Sequence, residues 1–193
     1  MKTKSLIVGL LPVIAILTAA RLFAHDETNA VTRSTPGANL WNQSVESTNW
    51  MYELKQVHGH VGPWNVLGWR MGKAALRELG GAWGQHELDI ICYIPLKTPY
   101  SCLADGLIVG TGNSVGRLDI RLGEVMTMSD IHVSVQRKDG TGPVLLFKPD
   151  QKYLENIRHQ PDDQLAALST ECGRLSENKL FTIERLPASD AGK

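Results

Sequence analysis

The sequence predicts an α+β fold: a helix, a strand and a second helix, then three or more strands, with a mixed sheet covered by helices on one face. Three observations predict it. Apolar residues recur at helical spacing from Pro63 to Leu79, a stretch too long for a strand. Short strand-like runs stand at 88–94, 118–122, 131–135 and 144–147, the first of them rich in β-branched residues. Two of these, 118–122 and 131–135, alternate with the period of two that a half-buried strand requires. Helical and strand segments come in groups rather than in strict alternation, which fits helices layered on one side of a partly antiparallel sheet.

The chain opens with a segment of a different kind. Lys2 and Lys4 precede an apolar run, Ser5 to Ala20, interrupted once by Pro12, and Leu22-Phe23-Ala24 ends on a small residue. This is the layout of a secretory signal peptide over residues 1–24. Left uncut, the same run would be an N-terminal anchor, and it is the one membrane contact the sequence offers. The short core and Pro12 suit a cleaved signal better. Either way the positive flank stays inside, and the domain is expected in the periplasm or outside the cell. No cysteine follows the run, so a bacterial lipid anchor is not expected.

Residues 25–39 are rich in Thr, Ser, Asn, Pro and Gly and read as a flexible leader. The body of the domain is expected over 40–160. Trp41, Val45, Trp50, Met51 and Leu54 suggest a helix over 40–56. Pro63 suits the first position of the next helix, and Gly80-Gly81 suits its end. Gly68 and Gly72, four apart, would let another backbone approach closely. Leu88 to Ile94 reads as a buried strand. Ser101 is placed to cap a second long helix from Cys102 to Gly110. The alternating run Leu118 to Leu122 follows, then Ile131 to Val135. Asp139-Gly140 is a hairpin turn signal, and Val144 to Phe147 forms the return strand. Residues 150–177 read as helix broken at Pro161, with 161–193 as a C-terminal extension, a last strand at Leu180 to Leu186 and a polar tail.

The charge balance lends no support to some classes of partner. Lysine plus arginine equals aspartate plus glutamate at 20 each in 193 residues, a net charge of zero. Nothing in it favours nucleic acid, which would call for a basic face, or a grip on anionic lipid. Apolar residues make up 42%, so a sizeable core is available.

The chemistry concentrates in Val57-His58-Gly59-His60-Val61-Gly62-Pro63-Trp64. Two histidines at i and i+2 of an extended segment share one side, and imidazole is the commonest metal-ligating side chain. Gly59, Gly62 and Pro63 fix an unusual backbone around them. The plainer alternative is that one histidine caps the next helix and the other is incidental. Cys102 opens a predicted helix, where the dipole favours a thiolate. Two imidazoles and a thiolate suit zinc with an open fourth position, and also nickel or copper. Cys92, Cys102 and Cys172 are an odd set, and a Cys92–Cys102 disulfide is the competing reading of Cys102. Asp105, three residues on and on the same helix face, is a candidate ligand, histidine partner or general base. Tyr100 and Arg70 are weaker candidates. The glycine run 110–116 follows a helix and lacks the Lys-Ser/Thr ending of a phosphate loop, so it reads as a turn. His86 and His132 are isolated and read as structural.

Taken together, His58-Gly59-His60-x-x-Pro63, Gly68-x-Arg70-Met71, Cys102-x-x-Asp105-Gly106 and Thr111-Gly112 before Gly116 resemble the FmdE-like domain of formylmethanofuran dehydrogenase, over about 56–149. The resemblance implies an α+β fold, often a homodimer, and a metal site from the histidines of the first motif and the cysteine of the second: His58, His60 and Cys102, with Asp105 nearby. Two departures stand out. Gly62 occupies a position that usually holds cysteine, and Asn113 another that often does. A plainer nitrogen/sulfur site is therefore expected, without the activity of the methanofuran complex, which an exported chain cannot readily join. Three functions follow as expectations. The first is an extracytoplasmic metal-binding protein in a carrier, sensor or accessory role. The second is a metal-dependent enzyme acting on a small-molecule ligand. The third is a disulfide-stapled interaction domain without metal.

Overall fold

The computed structural model describes residues 45–188. The expected signal segment, the leader and the extreme tail lie outside that range. The helices are α1 (Trp50–His58), α2 (Pro63–Leu79), α3 (Cys102–Thr111), α4 (Gln151–Ile157) and α5 (Asp162–Arg174). The strands are β1 (Leu88–Ile94), β2 (Ile120–Glu124), β3 (His132–Arg137), β4 (Val144–Pro149) and β5 (Phe181–Leu186). They form one mixed sheet in the order β2-β1-β3-β4-β5. β2 runs parallel to β1 and the other pairs are antiparallel.

One face of the sheet is the core. Ile90 stands opposite Val135 and Ile120, and Cys92 opposite Val133, which in turn faces Phe147. All are buried beneath the helices. The other face is half-buried, with Tyr93 and His132 stacked at 4.3 Å between ring centres. His132 thus shares its side with Ser134, away from Ile131, Val133 and Val135, as the alternation predicts.

Most boundaries follow from local chemistry. Pro63 begins α2, and Gly80 ends it in the left-handed region at φ 65°. Asp150 caps α4 by accepting from the Tyr153 N–H at 2.8 Å. Pro161 separates α4 from α5. Three boundaries differ from expectation. Within the described residues α1 begins only at Trp50, because the Asn49 side chain accepts the Tyr52 N–H and caps it there. Ser101 does not cap α3; it already has helical angles, and the turn before it is running, with the Cys102 N–H given to Pro99 O. The strand expected at 118–122 is shifted to 120–124. A short 3₁₀ turn at Val115–Arg117 ends in Leu118 at φ 59°, which is 70% exposed. β2 is an edge strand, and along it Ile120 is buried while Leu122, on the same side, is 50% exposed.

The helix pair α2–α3 is built on backbone contact. A Cβ on Gly68 would lie 2.0 Å from Leu103 O, and one on Gly106 would lie 2.0 Å from Asn65 O. The close approach expected of Gly68 is therefore real, and α3 is its partner.

A buried carboxylate ties the turns at one end of the sheet. Asp119 is fully buried and bonds His86 Nδ1 at 2.7 Å and Lys138 Nζ, with Arg117 at 3.7 Å. His86 is thus structural, as expected. Burial alone would raise the Asp119 pKa, but hydrogen bonds from Lys138 and His86 outweigh it and hold the carboxyl below its usual range.

Gly106→Ala should lower stability by about 3 kcal/mol, the upper range for overpacking where backbone cannot give, read as a shift in urea midpoint at constant slope. Gly116→Ala, with nothing near the added methyl, should be close to neutral. A depressed folded-state pKa contributes stability above the unfolded value of about 3.9 that is lost as pH falls through the folded value. Acid unfolding below about pH 4 should therefore be shallower in Asp119→Asn than in the parent.

Candidate metal and small-molecule site

The His-Gly-His stretch is not an extended segment. His58 is the last residue of α1, Gly59 reverses the chain in the left-handed region at φ 91°, and His60 follows. The reversal still brings the rings together, with centres 4.6 Å apart and tilted by 53°. The same-side expectation holds for the rings, but a helix C-cap produces it rather than a strand.

Below the turn, Asn65 organises the backbone. It is fully buried, accepts the Gly62 N–H at 3.0 Å and donates to His60 O at 3.0 Å. This residue carried no signal in the sequence beyond its place two residues into a Pro-initiated helix. The contact between α2 and α3 then places Asp105 beneath His58. His58 Nδ1–H donates to Asp105 Oδ2 at 2.6 Å. Cys102, one turn earlier on α3, is half-buried.

These groups border two cavities. One, of about 460 Å³, is lined by His58, His60, Cys102, Trp64 and the α4–α5 link. The other, of about 520 Å³, lies between Cys102, Asp105 and the turn at Val115 and Leu118. The structure thus brings His58, His60, Cys102 and Asp105 into one neighbourhood. Among the described residues, however, no three His, Cys, Asp or Glu side chains are gathered into a ready metal cage.

Two weaker candidates have other employment. Among the described residues, Arg70 neither lines the cavity nor pairs with a carboxylate. It donates to the carbonyls of Cys172, Gly173 and Leu175 at 3.0, 3.0 and 2.8 Å, closing the C-terminus of α5. Tyr100 is buried edge-on against Trp64 at 5.2 Å. The glycine run at 110–116 is a turn, as read, pinned by Asn113 donating to Leu88 O at 2.9 Å.

All three cysteines are free thiols, which leaves the disulfide-stapled reading without its staple. The Cys102 thiol is not the acidic one expected from a helix N-terminus. Burial raises its pKa first, the Asp105 charge raises it further, and the backbone N–H only partly opposes them. Residues the sequence did not bring forward are Asn65, Thr98, Arg158 and His159, which complete the cavity wall. The last two lie far along the chain on a link with no motif.

A helix pair under a His-Gly-His turn, on a mixed sheet and facing a cavity, defines an α+β domain. The family model FmdE, described as molybdenum formylmethanofuran dehydrogenase operon, matches residues 57–179, and the chain belongs to that family. The match continues through α4 and α5, past the stretch that carries the motifs. No curated protein matches the chain.

Asn65→Ala should strand the buried Gly62 N–H, release the His60 carbonyl and cost about 1–3 kcal/mol. Chemical denaturation measures the loss, and a change in the His60 imidazole resonance shows that the turn has loosened.

Proposed function

We propose that this chain is an extracytoplasmic transition-metal-binding member of the FmdE family. His58, His60 and Cys102 are its ligands, in a carrier, sensor or accessory role. The observation that carries the reading is the 2.6 Å hydrogen bond from His58 to Asp105. A metal-ligating imidazole usually gives its other ring N–H to a carboxylate, which fixes the tautomer and raises the basicity of the ligating nitrogen. Here that bond leaves Nε2 as the free lone pair of His58. The His60 ring stands 4.6 Å away, its backbone held by Asn65.

Cys102 shares the cavity wall, and the reading requires its thiol to turn toward the two rings and lose its proton. Two nitrogens and a sulfur suit zinc first, with nickel and copper as neighbours in preference. A bound zinc supplies Lewis acidity and the charge that deprotonates a coordinating thiol. Asp105 orients His58 from behind. The cavity leaves room on the open side for water or a small ligand. The extracytoplasmic location rests on the charged and apolar layout of residues 1–24.

Elemental analysis of the full-length product should find a transition metal near one per chain, lost in His60→Ala. Asp105→Asn should keep the metal but bind it about 10–100-fold more weakly. A metal-free parent that takes up no zinc, nickel or copper on titration would falsify the site. Fractionation that finds the protein in the cytoplasm would remove the location.

A further inference from the structure

The cavity beside His58 and His60 has a second wall that metal binding leaves unused. It is the link between α4 and α5, which contributes Ile157, Arg158, His159 and Asp162. Arg158 Nε is buried and has no hydrogen-bond partner among the described residues. The guanidinium's own partner is Glu155, reached by Nη1 in two long contacts of 3.4 Å, one to each carboxylate oxygen. The Arg158 side chain as a whole is 42% exposed, so its terminal nitrogens stay open to an acceptor arriving from the cavity. Next to this donor, Trp64, Ile157 and Leu165 give the cavity an apolar surface. At about 460 Å³ it has the size of a small-molecule site, far more than a lone ion needs.

We propose that this cavity binds a small aliphatic carboxylate. The carboxylate accepts from the Arg158 guanidinium, whose planar fork matches it better than it matches a point anion. The hydrocarbon body packs on Trp64, Ile157 and Leu165. Free aliphatic acids and apolar α-amino acids share this chemistry. Asp162, the one carboxylate among the cavity's described lining residues, would receive the ammonium of an amino acid. The inference goes beyond the metal site and does not depend on it, since none of these residues is a proposed metal ligand.

Isothermal titration of the full chain with 4-methylpentanoate, its amide and leucine tests it, with metal content recorded on the same sample. The acid should bind and the amide should bind about tenfold more weakly, the loss of one charge-assisted contact. Arg158→Gln should weaken the acid by a similar factor and leave the amide unchanged, with a circular-dichroism melt showing the fold intact. Leucine binding tighter than the acid, with the advantage lost in Asp162→Asn, identifies amino acids as the source; leucine binding no tighter identifies free acids. Equal binding of acid and amide, an Arg158→Gln variant without effect, or no binding of either acid or leucine at millimolar concentration overturns the proposal. The metal content of each sample reports on the histidine site alone, so the two readings fail separately.

Discussion

The backbone-to-backbone contact of α2 with α3 is the constraint on which the site depends. Gly106 meets the chain at Asn65, and Gly68 meets it at Leu103. A Cβ at either point would lie 2.0 Å from a backbone oxygen, so side chains there would force the helices apart. With glycine there, the first turn of α3 slides beneath the His-Gly-His turn that precedes α2. Asp105, adjacent to Gly106, then reaches His58 at 2.6 Å. Cys102, one turn back, reaches the cavity wall. A small-residue stripe, which by itself lowers helix propensity, is thus what lets two remote motifs meet.

A chain of hydrogen bonds runs from that contact to the turn. Asn65 holds the ends of the turn, the turn presents two imidazoles, and Asp105 fixes one of them. Each link is a buried or half-buried hydrogen bond whose removal would leave a stranded partner, so the arrangement is rigid for its size. Cys102 is the exception. Its thiol is pushed away from ionisation by burial and by the same carboxylate that orients His58. A cation in the site would reverse that balance, because a divalent charge close by outweighs both effects.

The fold was legible where a local rule acts alone. Pro63 and Gly80 bound α2, Asp139-Gly140 joins β3 to β4, and Pro161 divides the last two helices; each is a single-residue backbone preference that neighbours do not override. The expectation failed where tertiary context decides. Leu118 to Leu122 alternates like a strand, yet Leu118 takes a left-handed turn and Asp119 is drawn into a buried cluster with His86 and Lys138. Ser101 looks like a cap, but the loop before it had already begun to coil. The same limit applies to the site. His58, His60, Cys102 and Asp105 were visible as reactive types near glycines, while Arg70 and Tyr100, equally reactive on paper, are used for closing α5 and filling the core.

By itself the sequence determined the order of elements, the α+β class and the family, because hydrophobic period, turn residues and short motifs are properties of neighbouring residues. Only the tertiary structure decided which reactive groups share a space. It paired His58 with Asp105 and left Cys92 apart from Cys102 as a buried core thiol. It also brought Arg158 and His159 from the far end of the domain to the same cavity. Such meetings depend on which helix becomes the partner of the glycine stripe and where a link between two others comes to rest, and no local pattern in a chain encodes either.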